Sequence, residues 1–136
     1  MAYAFNDDKS KAVITPRTWT DIPLYPNQTD IIPGSILKYT INVDGSVTII
    51  GNLDFKGTAA SSFGYPIAPL PEEIQPKGSA GGGVGIMRNF PIYLTQVGKK
   101  RVSFAINAGT QLTVNFLDTV ARNDYVIFEA TYNPTL

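Results

Sequence analysis

The 136-residue chain contains no cysteine and no histidine. Without cysteine there is neither a disulfide framework nor thiol chemistry. Without histidine the commonest general base and the commonest metal ligand are both missing, which excludes Ser-His-Asp and Cys-His catalysis. A carboxylate pair of the glycoside-hydrolysing kind is the chemistry left over, and Asp21, Asp30, Asp54, Asp118, Asp124 and Glu129 are the acids available for it. Each also reads as an ordinary turn or surface residue, so no catalytic role, metal or cofactor is expected. Charge is sparse as well: 16% of residues are charged, and 11 basic side chains balance 11 acidic ones. No basic patch points to nucleic acid, and the single cluster Lys99-Lys100-Arg101 reads as a solvated turn before a strand. No apolar run is long enough to span a bilayer as a helix. The start, "MAYAFNDDKSKAV", has acids where a signal peptide would carry basic and then apolar residues. The expectation is a protein made in the cytoplasm without secretory export or membrane insertion.

What the chain does have is β signal. Residues 1–14 are polar and charged, with Tyr3 and Phe5 as possible anchors, and read as an attachment segment. From residue 15 to 136 the pattern is β almost throughout, with candidate strands at 17–24, 35–43, 46–53, 84–96, 100–107, 110–117 and 124–132. They are rich in Val, Ile, Thr, Tyr and Phe and are bounded by Gly, Pro, Asn and Asp. No window of helical length carries a helical apolar stripe. Ten prolines and twelve glycines punctuate the chain, five of the glycines within "PKGSAGGGVGIMRNF". That stretch does not meet the spacing of a phosphate-binding loop, because Lys77 precedes the glycines and Ile86-Met87 follow them. No helix follows whose N-terminus could receive an anion, so a mobile connection between two parts of a β fold is expected.

Two hairpins carry register information. In "LKYTINVDGSVTIIG", Leu37, Tyr39 and Ile41 share one face, and Val47, Ile49 and Gly51 share a face on the return strand. A two-residue Asp44-Gly45 turn would send these sets to opposite faces, because side chains alternate with period two. An odd loop pairs Ile41 with Val47 and Tyr39 with Ile49, and both sets then face the core. We therefore expect a three-residue loop, Val43-Asp44-Gly45, with Gly45 at positive φ in a bulge. By the same rule, Val102, Phe104 and Ile106 meet Leu112, Val114 and Phe116 across an odd loop containing Gly109. Such alternation predicts an all-β, antiparallel β-sandwich or jelly-roll-like barrel. The opposite faces hold Thr40, Asn42, Thr48, Ser103, Ala105, Thr113 and Asn115. Small neutral residues there suit packing against neighbouring subunits, and an oligomer is inferred.

The succession "TWTDIPLYPNQ", "ILKYTINVDGSVTIIGNLDFKGT", "IAPLPEEIQP", "RVSFAINAGTQLTV" and "YVIFEATY" resembles the head domain of phage tail receptor-binding proteins and tail-fibre tips from phages of Gram-positive bacteria. The resemblance runs over about residues 15–136 and rests on order and spacing, since each piece alone is a weak motif. It implies a jelly-roll-like head, a homotrimer, contacts with other tail or baseplate proteins, placement in the virion and non-catalytic binding of a host cell-wall saccharide. Full-length members of that family carry a shoulder and a neck before the head, whereas here about 15 residues precede it. A purely structural tail or fibre-tip protein is the first alternative, and a trimeric signalling ligand of the tumour-necrosis-factor or C1q-like class is the second.

Saccharide binding asks for an aromatic platform and polar groups in fixed geometry. Trp19, the only tryptophan, either stacks on a sugar or packs in the core or at a subunit seam. Loops supply the other candidates: Phe63 and Tyr65 in "SSFGYP", Arg88 and Asn89 in "MRNF", and Arg122, Asn123, Asp124 and Tyr125 in "VARNDY". The last group places a cation, an amide, a carboxylate and a ring in four residues, and it also reads as a turn before the final strand.

Overall fold

In the computed structural model, the residues described are 3–5, 12–14, 17–57, 64–77, 87–107, 109–122 and 124–135. Ten strands follow in order: β1 (Tyr3–Phe5), β2 (Ala12–Ile14), β3 (Thr20–Asp21), β4 (Ile36–Ile41), β5 (Val47–Asp54), β6 (Tyr65–Pro69), β7 (Met87–Leu94), β8 (Arg101–Asn107), β9 (Gln111–Phe116) and β10 (Tyr125–Tyr132). Among the described residues the only helix is a single 3-10 turn, Glu72–Ile74, and none is long and apolar enough to cross a membrane. Within the expected attachment segment, β1 and β2 pair with each other in a small sheet of their own.

The other strands form two four-stranded antiparallel sheets, ordered β10-β5-β4-β3 and β6-β9-β8-β7. This is the expected sandwich. In the second sheet β7, β8 and β9 follow one another by hairpins and β6 returns beside β9, a Greek-key order. Period-two alternation fixes which side chains meet between the sheets. In β10, Val126, Phe128, Ala130 and Tyr132 point inward and are buried. In β8, Val102, Phe104 and Ile106 do the same. Across the middle, the rings of Phe104 and Phe128 stack with centroids 4.2 Å apart, and Phe55 meets Phe116 edge-on at 5.0 Å. Aromatic pairs of this kind add roughly 0.5–1.5 kcal/mol to their area burial.

Both hairpin registers follow the odd-loop rule. Ile41 pairs with Val47 and Tyr39 with Ile49, while Val102, Phe104 and Ile106 pair with Phe116, Val114 and Leu112. In the first turn the Gly45 N–H donates to Asn42 O at 2.9 Å, and Gly45 sits at φ +87°. In the second the equivalent bond runs from Thr110 N–H to Asn107 O at 3.1 Å, and the glycine sits one position earlier, Gly109 at φ +70°. A Cβ on Gly45 would meet nothing within 4 Å. The cost of Gly45→Val is therefore backbone strain alone, and a loss of about 1–3 kcal/mol is expected in urea unfolding. A neutral result would contradict the positive φ.

Three expectations are corrected. Ile41 does not join the core: it closes its strand at 49% exposure, while Leu37 and Tyr39 are buried. Of the long strand read at 17–24, only Thr20 and Asp21 pair, with Tyr39 and Lys38, because Pro23 cannot donate to a ladder. The sequence pattern predicts no strand over residues 65–69, yet they form β6. Pro66 and Pro69 are tolerated because β6 is an edge strand, and the register shifts at Ile67, between Pro66 and Ala68. The glycine-rich residues 78–86 lie outside the described residues. Lys77 before them donates its N–H to Pro134 O at 2.7 Å.

Four of the neutral outward positions, Thr40, Asn42, Thr48 and Thr113, have partners within the chain, whereas the buried Asn115 Oδ1 has none among the described residues. Thr40 Oγ1 donates to Thr18 O at 2.8 Å, and Asn42 Nδ2 donates to Thr48 Oγ1 at 2.9 Å. Thr48 Oγ1 in turn lies 2.8 Å from Thr131 Oγ1, and Thr113 Oγ1 donates to Ala105 O at 3.2 Å. Thr40, Thr48 and Thr113 are buried although they stand on outer faces. Neutrality there serves a hydrogen-bonded threonine–asparagine ladder whether or not a second subunit covers it.

The start of β8 is fastened by an exposed ion pair. Asp118 Oδ2 accepts from the Arg101 backbone N–H at 2.8 Å and from Nε at 3.0 Å, and Oδ1 accepts from Nη2 at 3.0 Å. The Arg101 side chain and backbone together hold the Asp118 carboxyl at about 2, below its ordinary value. A carboxyl depressed by folding stabilises the fold above its unfolded pKa, about 4, and ceases to do so as pH falls through the folded value. The stability difference between the parent and Asp118→Asn, measured by urea unfolding, should thus be present at pH 7, shrink below pH 4 and vanish near pH 2. A difference unchanged at pH 2 would rule this linkage out.

Candidate functional site

Residues 22–31, "IPLYPNQTDI", leave β3 and form an irregular strap along one open side of the sandwich. Pro23 and Pro26 fix φ and cannot donate, so the segment cannot continue as a ladder strand. Its remaining backbone groups are fastened to both sheets. Ile22 N–H donates to Leu37 O at 2.9 Å on the first sheet, and Tyr25 N–H donates to Ile67 O at 2.8 Å on the edge strand of the second. Ile31 forms a bridge with Phe55, and Lys56 N–H donates to Asp30 O at 3.0 Å. Gln28 closes the loop on itself: Oε1 accepts from Asp30 N–H at 3.1 Å and Ile31 N–H at 2.8 Å, and Nε2 donates to Ile31 O at 2.9 Å. A side-chain amide here does the work of a missing backbone ladder. On the opposite side the sheets meet through β7 and β10, where Tyr93 Oη donates to Glu129 O at 2.6 Å and Gln96 N–H to Tyr125 O at 2.8 Å.

The strap separates two clefts. The first, about 510 Å³, is walled by Leu24, Tyr25 and Ile36, with Asp21, Lys38 and Lys56 among its polar groups. The second, about 380 Å³, lies between the strap and β6, with Tyr25, Asn27, Thr29, Tyr65, Pro66 and Gln111 on its walls. Tyr25 and Gln28 line both. Gln111 Nε2 donates to Tyr25 Oη at 3.3 Å, which orients that ring between the clefts. Tyr65 is half-buried against Phe116, with centroids 6.0 Å apart. Both volumes fall within the size range of small-molecule sites. Rings, amides and hydroxyls suit a neutral, hydroxyl-rich ligand. Among the described residues no group of three or more Asp, Glu, His or Cys could hold a metal ion.

Of the saccharide-site candidates named from sequence, Tyr65 is the one among the described residues that lines either cleft. Trp19 stands half-buried beside β3, outside the core, with the Arg17 guanidinium 5.8 Å from its ring centroid. Its ring is therefore not part of the core, one of the placements its sequence setting left open. Arg88 and Asn89 are placed by backbone in β7, opposite Ile106 and Ala105. Their side chains, with Phe63 and Asn123, lie outside the described residues. Arg122 is exposed on the turn before β10, and Tyr125 is half-buried opposite Asp54.

Asp124, by contrast, is turned into the protein and only 4% exposed. Its Oδ1 accepts from Gly98 N–H at 2.8 Å and Thr95 Oγ1 at 3.3 Å, and its Oδ2 accepts from Ala121 N–H at 3.2 Å. This carboxylate ties the 95–98 turn to the 121–124 turn. The Asp124 carbonyl accepts from Phe55 N–H at 3.2 Å, so the Arg122 turn, residues 55–57 and the strap's end at Asp30 lie side by side. The Arg122 turn borders the first cleft through Lys56 without lining it.

Tyr25, Asn27, Gln28, Lys56 and Gln111 were not singled out from sequence. The available signal was "YPNQTD", a ring and four polar residues packed between two breaks in the β pattern. No family pattern, no characterised protein and no solved structure matches the chain.

Proposed function

We propose that the chain is the head of a phage tail receptor-binding protein, a non-catalytic module that holds a host cell-surface saccharide beside the 22–31 strap. The observation that carries this reading is the cleft where Tyr25 and Tyr65 stand with Asn27 and Gln111. Rings offer apolar faces to sugar C–H groups, and amides satisfy hydroxyls that would otherwise lose their water. The resemblance over residues 15–136 supplies the biological setting: a virion tail, other baseplate proteins as neighbours, and a homotrimer of jelly-roll-like heads. Cyclic symmetry would present three identical clefts to one wall, and weak single contacts would then add by avidity.

Binding of the purified protein to cell walls from a panel of Gram-positive strains tests this reading. At least one strain's walls should retain it, and Asn27→Ala should weaken that retention about tenfold, the effect of one or so lost hydrogen bonds. A particle mass of one chain at micromolar concentration would remove the trimer from the proposal. Failure to bind any wall or any arrayed glycan would leave the structural tail role instead.

A further inference from the structure

The two clefts share a wall. Tyr25 and Gln28 line both, and no other described residue does. We infer that the ligand is an oligosaccharide of several units that crosses the Tyr25 ridge and occupies both clefts, rather than a single terminal sugar. The inference rests on the saccharide reading above and adds the size and placement of the ligand.

Three observations carry it. The clefts adjoin along the strap through their shared Tyr25 and Gln28, so a chain molecule occupying both would pass the Tyr25 ring. The chemistry on the two sides differs: rings and amides around Tyr65, and Lys38, Lys56 and Asp21 beside aliphatic Leu24 and Ile36 in the other cleft. A repeating polymer with unlike units suits two unlike clefts better than one small sugar does. Finally, the ridge is already set. Tyr25 is held by its N–H on Ile67 O and by Gln111 on its hydroxyl, and the Gln28 amide closes the loop behind it. A ligand that crosses a prefixed ridge loses little affinity to ordering the protein. A second sugar unit then binds without a second loss of translational freedom, so affinity should climb with length until both clefts are filled.

The test uses the intact protein and fragments of one, two, three and four sugar units cut from the wall polysaccharide of a strain whose walls it binds. Calorimetry or fluorescence titration gives Kd for each fragment. Affinity should rise at least about tenfold between one unit and three, then level off. Lys56→Ala, exposed and in the first cleft only, should weaken the three-unit fragment and leave the one-unit fragment unchanged. Asn27→Ala, in the second cleft only, should weaken both. Equal affinity for one unit and four would overturn the spanning mode while the saccharide reading stands. So would a Lys56→Ala protein that binds all lengths like the parent. If no fragment of any length binds, the saccharide reading itself falls and the spanning mode with it.

Discussion

Gly51→Ala is expected to destabilise the protein by about 2–4 kcal/mol, at the high end of what overpacking does. Gly51 lies on the inner face of β5, between Leu37 on β4 and Phe128 on β10. A Cβ built there would fall 2.2 Å from Phe128 Cε1 and 2.9 Å from Cδ1 and Cζ. The ring has little room to yield, because its other side stacks on Phe104 at 4.2 Å and Tyr93 sits 5.7 Å away. An opposing effect exists: alanine restrains the unfolded chain and removes roughly 0.5–1 kcal/mol of glycine's entropic penalty in a strand. The clash is the larger effect, since the phenyl group must shift by more than an ångström inside a closely packed interior. Urea unfolding of the single variant and of Gly51→Ala with Phe128→Leu provides the check. The smaller leucine side chain should relieve the clash, so the two substitutions together should lose less than the sum of each alone. A Gly51→Ala protein within 0.5 kcal/mol of the parent, roughly the scatter of neutral substitutions, would show that Phe128 does not occupy the space above Gly51.

The second large effect concerns Asp124. Asp124→Ala should lose about 3–5 kcal/mol, because it strands the Gly98 and Ala121 N–H groups and the Thr95 hydroxyl, each with a desolvation penalty of roughly 1–3 kcal/mol, offset in part where water enters. The site is closely fitted: a Cβ on Gly98 would stand 2.8 Å from Asp124 Oδ2. Asp124→Asn keeps the shape but offers one acceptor oxygen, and it should fall between the parent and the alanine variant. The comparison that separates burial from charge is Asp118→Asn, whose ion pair is solvent-exposed and should matter less. Equal losses at the two aspartates would contradict the assignment of Asp124 as an internal clasp. Hydrogen exchange adds a local readout: the Gly98 amide should lose protection in Asp124→Ala before the β8–β9 ladder does. Since Asp124 holds the turn together, Arg122→Ala alone is the variant that asks whether this turn meets a ligand.

Some of this architecture was legible in the residues because it depends on one physical constraint applied locally. Period-two alternation on both arms of a hairpin admits only an odd loop, so the registers around Gly45 and Gly109 followed from the order of apolar residues alone. The same alternation identified the inward rows of β8 and β9. Ile41 broke the pattern because alternation gives a side chain's direction and says nothing of what lies above it. At the end of a strand, nothing did. β6 was hidden for the opposite reason. Its prolines argue against a strand in general, but an edge position removes the objection, and edge or centre is a property of the sheet.

The candidate site was the least legible part. Tyr65 was recognised, yet its neighbours Tyr25 and Gln111 lie 40 and 46 positions away in sequence and meet it only when the strap docks on β6. Asp124 looked like a loop ligand because only one of its three donors, the Ala121 N–H, is local; Thr95 and Gly98 come from another turn. Residue types and their spacing by themselves determined the absence of thiol and imidazole chemistry, the all-β character and the inward rows of the two hairpins apart from Ile41, since these depend on relations along a few residues. The tertiary structure alone decided which strands are edges, where Phe128 packs, which carboxylate turns inward and that two clefts share Tyr25. Each of those is a contact between segments distant in the chain, and period and propensity act only over near neighbours.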